Sequence, residues 1–203
     1  MKKGLLIILA IVICFAVYLF LSRKKSGNSS IDKEKPLAIS RNSAGFNNAL
    51  QDVMNGYYTM HDALVNRDSA RVVDSIGQSL ASAAGNIPFS ELKADTLLVH
   101  TAENYASAIV AECNAMQQEK SIEEQRKSFY TISENLFDLL RTVQYDKGTV
   151  YHVLCPMAFN GNEEGYWLSN NRQILNPYFG KNDPKYHEAM LHCGTIEDSI
   201  SFK

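Results

Sequence analysis

Two short stretches near the C-terminus concentrate sulfur: Cys155-Pro156-Met157, and Met190-Leu191-His192-Cys193-Gly194. Thiolate and thioether sulfur are soft donors, and they suit Cu(I) and similar ions better than carboxylate- or water-rich sites do. In an extended chain Cys155 and Met157 point to the same face. In one helical turn Met190 and Cys193 do the same. Two such pairs facing each other would form a four-sulfur metal site of Cys155, Met157, Met190 and Cys193, with His192 as a further candidate ligand. The paired Cys-x-x-Cys spacing that marks zinc is absent. Other readings stay open on the residues alone. Cys155 and Cys193 can be joined by a disulfide where the compartment is oxidising, and the appendix is then a structural or interaction module. Met157 and Met190 can fill gaps in a core. Cys113, on an apolar helical face, reads as a small buried hydrophobe. Thiol oxidoreductase chemistry is set aside, because Cys-Pro-Met lacks the adjacent resolving cysteine such chemistry uses.

The rest of the chain offers little catalytic chemistry. His152 precedes Cys155 by three residues, so a straight strand points the two in opposite directions and disfavours a Cys-His nucleophile. His187 and His192 lie near Cys193, while His61 and His100 sit on helices without partners in sequence. The adjacent carboxylates Glu123-Glu124 and Glu163-Glu164 face apart or into solvent. There is no phosphate-binding Gly-rich loop, no His-Glu-x-x-His and no nucleophile elbow. No enzyme is expected. The 20 basic and 22 acidic residues give a net charge of −2 and are mixed along the chain, which leaves no basic footprint for nucleic acid.

The elements that must position the sulfur ligands follow from periodicity. Phe46, Leu50, Val53, Tyr57, Met60 or His61, and Leu64 recur at three- and four-residue steps and predict a first amphipathic helix. Asp68 is the expected N-cap of a second, which carries Val72, Val73, Ile76, Leu80 and Ala84. Gly85-Asn86-Ile87-Pro88 ends it. A third helix is expected from near Asp95 to about Gln118. Ser121 and Glu124 form a capping-box pattern at the start of a fourth, whose apolar face runs through Ile122, Phe129, Ile132, Leu136, Leu139, Leu140 and Val143. Short connections between four such helices predict an up-and-down four-helix bundle. After Gly148 the pattern changes. Thr149 to Leu154 is β-branched and aromatic, Asn160-Gly161-Asn162 marks a turn, and Gly165 to Ser169 can return as a second strand. The last thirty residues read as loop. The expected fold is therefore mainly α: a bundle over residues 43–203 with a small C-terminal β-hairpin and loop appendix, 149–203.

Leu5 to Leu21 is a nearly unbroken apolar run, at the short end of the length that spans a bilayer. Basic residues flank it at Lys2-Lys3 and Arg23-Lys24-Lys25. No small-residue cleavage site follows it, as a signal peptide requires. Ile13 is bulky where a lipidated Cys14 would want a small neighbour. Residues 1–22 are therefore read as an uncleaved single-pass membrane anchor, and 23–42, polar with Gly27 and Pro36, as a flexible linker. A very short N-terminal tail stays inside, which puts the remainder outside the cytoplasm.

Several C-terminal pieces taken together, Val150-Tyr151, Cys155-Pro156-Met157-Ala158, Tyr166-Trp167-Leu168-Ser169, Ile174, Asn176-Pro177-Tyr178-Phe179-Gly180, and Met190 with Cys193-Gly194, resemble a particular domain of unknown function. That domain occurs alone in exported proteins, or fused to the C-terminal end of periplasmic adaptor (membrane-fusion) proteins of copper and silver efflux systems. Tyr57-Tyr58, Ala63-Leu64-Val65 and Asp68 resemble its opening helix. Glu124 to Phe129, with Ile132-Ser133, resembles its last. The resemblance runs from about Phe46 to the C-terminus. It implies a helical bundle on the periplasmic side of the membrane, a link to heavy-metal handling, and an efflux adaptor as partner. The chain departs from that family at Ser128, where many relatives carry histidine, and in a longer spacer from Lys181 to Ala189.

Overall fold

The computed structural model describes residues 42–202. The expected membrane anchor and nearly all of the linker lie outside them. Among the described residues, no helix is long and apolar enough to cross a membrane.

Four helices come first: α1 (Ala44–Asn66), α2 (Ala70–Gly85), α3 (Thr96–Met116) and α4 (Ile122–Thr142), with a 3-10 turn at Phe89–Glu91 between α2 and α3. Their starts obey capping chemistry. Ser43 accepts from the Phe46 amide, and Asp95 from the Leu98 amide. Ser121 and Glu124 complete the reciprocal capping box expected from their spacing. The start of α2 differs: the N-cap position is Ser69, not Asp68, and its side chain makes no capping bond. The Asp68 amide instead donates back to Ala63 O at 2.9 Å, completing the end of α1 around Arg67 in the left-handed conformation (φ 57°). Consecutive helices pack as neighbours, α1 on α2, α2 on α3, α3 on α4.

The C-terminal part departs from the expected hairpin. Three antiparallel strands, β1 (Val150–Phe159), β2 (Glu163–Ser169) and β3 (Thr195–Ile200), form a sheet in the order β2-β1-β3. The three-residue loop Asn160-Gly161-Asn162 turns through positive φ at Asn160 and Gly161 (51° and 79°), with the Asn162 amide donating to Phe159 O at 3.2 Å. β3 falls in a stretch expected to be loop. Its first five residues are exposed or half-buried and only Ile200 is buried. It is held by ladder bonds to β1 rather than by an apolar face, so no hydrophobic alternation announces it.

Nor is the sheet an appendix. One continuous core takes Leu50, Tyr57 and Phe129 from the helices together with Val153, Cys155, Trp167 and Tyr178 from the C-terminal part. The Tyr57 ring stacks on Phe129 at 5.0 Å between centroids. The Tyr57 hydroxyl accepts from the Leu168 amide of β2 at 2.9 Å and lies 2.7 Å from Ser133 Oγ, which donates to Phe129 O. With its one proton turned to Ser133, the buried phenol joins α1, α4 and the sheet with no polar group left over. Desolvation pushes its pKa far up, so it stays a neutral donor and acceptor.

Candidate functional site

Cys155 lies in β1, and Cys193 lies just before β3. Leu154 pairs with Thr195 as the last rung of the ladder, and the cysteines follow just beyond it, Cys155 one residue past Leu154 and Cys193 two residues before Thr195. Their Sγ atoms are 3.8 Å apart, and both are free thiols. Cys155 is fully buried, and Cys193 is half-buried on the solvent side. Burial pushes the Cys193 thiol up to about 11, with Cys155 adding to the rise. Cys193 therefore carries its proton at neutral pH, and a metal bound there must displace it.

The walls around the pair are aromatic. Gly194 has φ +154° and sits so close to the Trp167 ring that a Cβ there would lie 2.7 Å from it. Only glycine allows that approach. Across from Cys155 on β2 stands Gly165, where a Cβ would strike the Tyr178 ring at 2.9 Å. The Tyr178 hydroxyl donates to Tyr166 O, and the ring packs edge-on against Trp167 and Phe159.

The loop that carries Cys193 is fixed by Asn176, a fully buried side chain. Asn176 Oδ1 accepts from the amides of Tyr178 (2.8 Å) and Phe179 (3.3 Å). Its Nδ2 donates to Cys193 O at 2.7 Å, and its amide donates to Leu191 O at 2.8 Å. One asparagine thus sets the Asn-Pro-Tyr-Phe-Gly turn and holds the Cys193 backbone in place. Gly180 ends the turn at φ +69°, where a Cβ would lie 2.6 Å from Val65 O. This close approach lets the turn cover the C-terminus of α1, with the Lys181 amide donating to Val65 O at 2.7 Å. Arg126, buried on α4, bonds Leu64 O and Phe179 O at 3.4 and 3.2 Å. Burial, with Arg67 close by, lowers its pKa to about 10, so it stays cationic beside the negative end of the α1 dipole. Arg67 bridges the same turn to Asp183 (3.2 Å) and to Glu123 (3.0 Å).

The remaining candidate ligands stand apart in character. β1 bulges after Cys155: four residue steps, from Cys155 to Phe159, match two on β2, from Gly165 to Glu163. The simple alternation invoked for Cys155 and Met157 does not carry through this bulge. Cys155 is buried while Met157 is 41% exposed. Met190 and Cys193 do share one tight turn, with the Cys193 amide donating to Met190 O at 3.0 Å, and Met190 packs half-buried against the core. His192 is held by its Nδ1, which donates to Ile174 O at 2.7 Å. Among the described residues no three His, Cys, Asp or Glu side chains converge as a metal-binding group, so the two thiols stand without a further donor of those types.

The histidines elsewhere have structural partners. His152 is sandwiched between Phe137 and Tyr166, at 4.0 and 4.6 Å between centroids, and Nε2 meets Glu134 at 2.7 Å. His61 bonds Leu175 O at 2.9 Å and Asp62 at 3.1 Å. His100 pairs with Glu103 on the surface. Cys113 is fully buried, its thiol pushed up to about 12. The residues that motif reasoning passed over are Asn176, Gly194 and Trp167. All three stood in the motif pieces, but nothing local said that they surround or hold Cys193.

A family model described as protein of unknown function (DUF3347) matches residues 53–148. That span covers most of α1 and all of α2, α3 and α4, and it stops before β1, so both cysteines of the pair lie beyond it. No curated protein and no solved structure matches the chain.

Proposed function

We propose that this chain is a membrane-tethered extracytoplasmic domain that binds Cu(I) or a similarly soft ion through Cys155 and Cys193, in the service of heavy-metal efflux or homeostasis. The observation that carries the reading is the 3.8 Å between the two sulfur atoms. Two thiolates sharing one metal with bonds of about 2.3 Å at a tetrahedral angle stand about 3.8 Å apart. The donor set suits a soft ion that accepts two or three sulfur ligands. A structural zinc needs four ligands, and no third Cys, His or carboxylate joins the pair among the described residues.

Met190, half-buried in the turn that leads to Cys193, supplies the thioether that completes the set. Met157, exposed on the bulge two residues after Cys155, is assigned as the outer thioether, and His192, next to Cys193 in the chain, as the further candidate ligand. The anchor, the periplasmic placement and an efflux adaptor as partner are supported by the apolar N-terminal run and by the motif resemblance. The ion is cargo here, and the fold's task is to hold two cysteines together where the β1–β3 ladder ends.

The test is a competitive titration of the fully reduced chain, in detergent, against a chromogenic Cu(I) chelator. One equivalent of Cu(I) is expected to bind, and the double variant Cys155→Ser with Cys193→Ser is expected to lose affinity by about a hundredfold or more, as removal of both anchoring thiolates requires. Met190→Leu should weaken binding more than Met157→Leu. Affinity unchanged in the double cysteine variant sinks the reading.

A further inference from the structure

Sequence alone disfavours thiol–disulfide chemistry here, because no second cysteine stands near Cys155 in the chain. The fold supplies one from 38 residues away. We propose that Cys155 and Cys193 are a thiol–disulfide exchange couple in which Cys193 meets an external disulfide and Cys155 resolves it.

Three observations assign the roles. The sulfur atoms are already in contact, and closing them from 3.8 Å to a bond of about 2.05 Å asks each to swing by roughly 0.9 Å. Strand pairing of Leu154 with Thr195 fixes the two chains as neighbours within two residues of both cysteines, so the approach of the sulfurs is held by the sheet. The two thiols also differ in access: Cys155 is sealed in the core, whereas Cys193 is reachable from solvent. An external disulfide therefore meets Cys193 first.

The exchange balances in two steps. Cys193 attacks an external disulfide R–S–S–R, its Sγ bonds to one sulfur, and one R–SH leaves carrying the Cys193 proton. Cys155 Sγ then attacks Cys193 Sγ, the mixed disulfide breaks, and the second R–SH leaves with the Cys155 proton. The protein gives up two electrons and two protons, and the external disulfide becomes two thiols. A dithiol reductant runs the sequence backwards. The couple does not depend on the metal reading. It excludes the metal when oxidised, since a disulfide offers no thiolate.

Oxidised glutathione is the probe. The full reduced chain, in detergent, is exposed to it, quenched by thiol alkylation, and read by intact mass and peptide mapping. Wild type is expected to lose two hydrogens, mapped to a Cys155–Cys193 bridge, with closure about tenfold or more faster than attack by a second external thiol, because the resolving sulfur is already positioned. Cys155→Ser should trap one glutathionyl group on Cys193. Cys193→Ser should leave Cys155 unmodified over the same period. Trp167, the single tryptophan, packs against Gly194, and its fluorescence should change on closure in wild type only. A stable glutathione adduct on wild type without bridging would overturn the proposal. So would a bridge to Cys113 or Cys14, or no reaction at Cys193. Bridging without Cu(I) binding leaves the couple and removes the metal reading; Cu(I) binding without bridging does the reverse.

Discussion

The loop from Asn170 to Gly194 carries Asn176 and meets β1 at Cys155, and so forms two neighbouring centres built on opposite terms. At Asn176, each hydrogen-bonding atom of a fully buried amide side chain is engaged by backbone groups. At Cys155 and Cys193, two thiols face chiefly each other. The first centre is rigid because leaving any of its partners unpaired in the core costs free energy. The second is chemically free because a thiol is only a weak hydrogen-bonding group, and its burial asks for little in return. Within the motif pieces, then, most residues hold and only the sulfurs are left to act. Asn176 and Cys193 are joined by one 2.7 Å bond, so the holding centre sets where the acting one stands.

The comparison breaks most visibly at Asn176. Asn176→Leu keeps the branched heavy-atom outline but strands the Tyr178 and Phe179 amides and the Cys193 carbonyl, and stability should fall by about 4 kcal/mol. Chemical denaturation measures this; a loss below about 1 kcal/mol would mean the turn stands without its amide. Tyr57→Phe removes one hydroxyl shared by the Leu168 amide and Ser133, and about 2 kcal/mol is expected. Hydrogen exchange at the Leu168 amide should quicken more than at amides of α2, which the phenol does not touch. Cys193→Ser should be the mildest, below about 1 kcal/mol, while metal binding and disulfide closure are both lost. If Cys193→Ser unfolds the protein as badly as Asn176→Leu, the thiols belong with the holding residues and the contrast disappears.

Much of the architecture could be read before the fold was seen. The apolar spacing of α1 and α4, a third helix beginning near Asp95 and the Ser121–Glu124 capping box are local signals, resolved within a turn or two of helix. The strand change after Gly148 and the Asn160-Gly161 turn were legible for the same reason. Asp68 misled because its cap chemistry is genuine in type, yet its amide is taken by the end of α1. β3 escaped because an edge strand with one buried side chain carries no alternation.

At the site the division is similar. The residue types Cys155, Met157, Met190 and Cys193 nominate sulfur chemistry from spacing alone, and straight-strand alternation placed His152 away from Cys155. The bulge that separates Met157 from Cys155 in burial depends on the pairing with β2 and could not be read locally. Helix starts, turns and the class of donor atom are written in neighbouring residues, because capping, φ preference and sulfur softness act over a few ångströms of chain. Which thiol meets which, and which is sealed and which reachable, was decided by tertiary structure. That outcome rests on one strand pairing and one buried amide that join segments tens of residues apart.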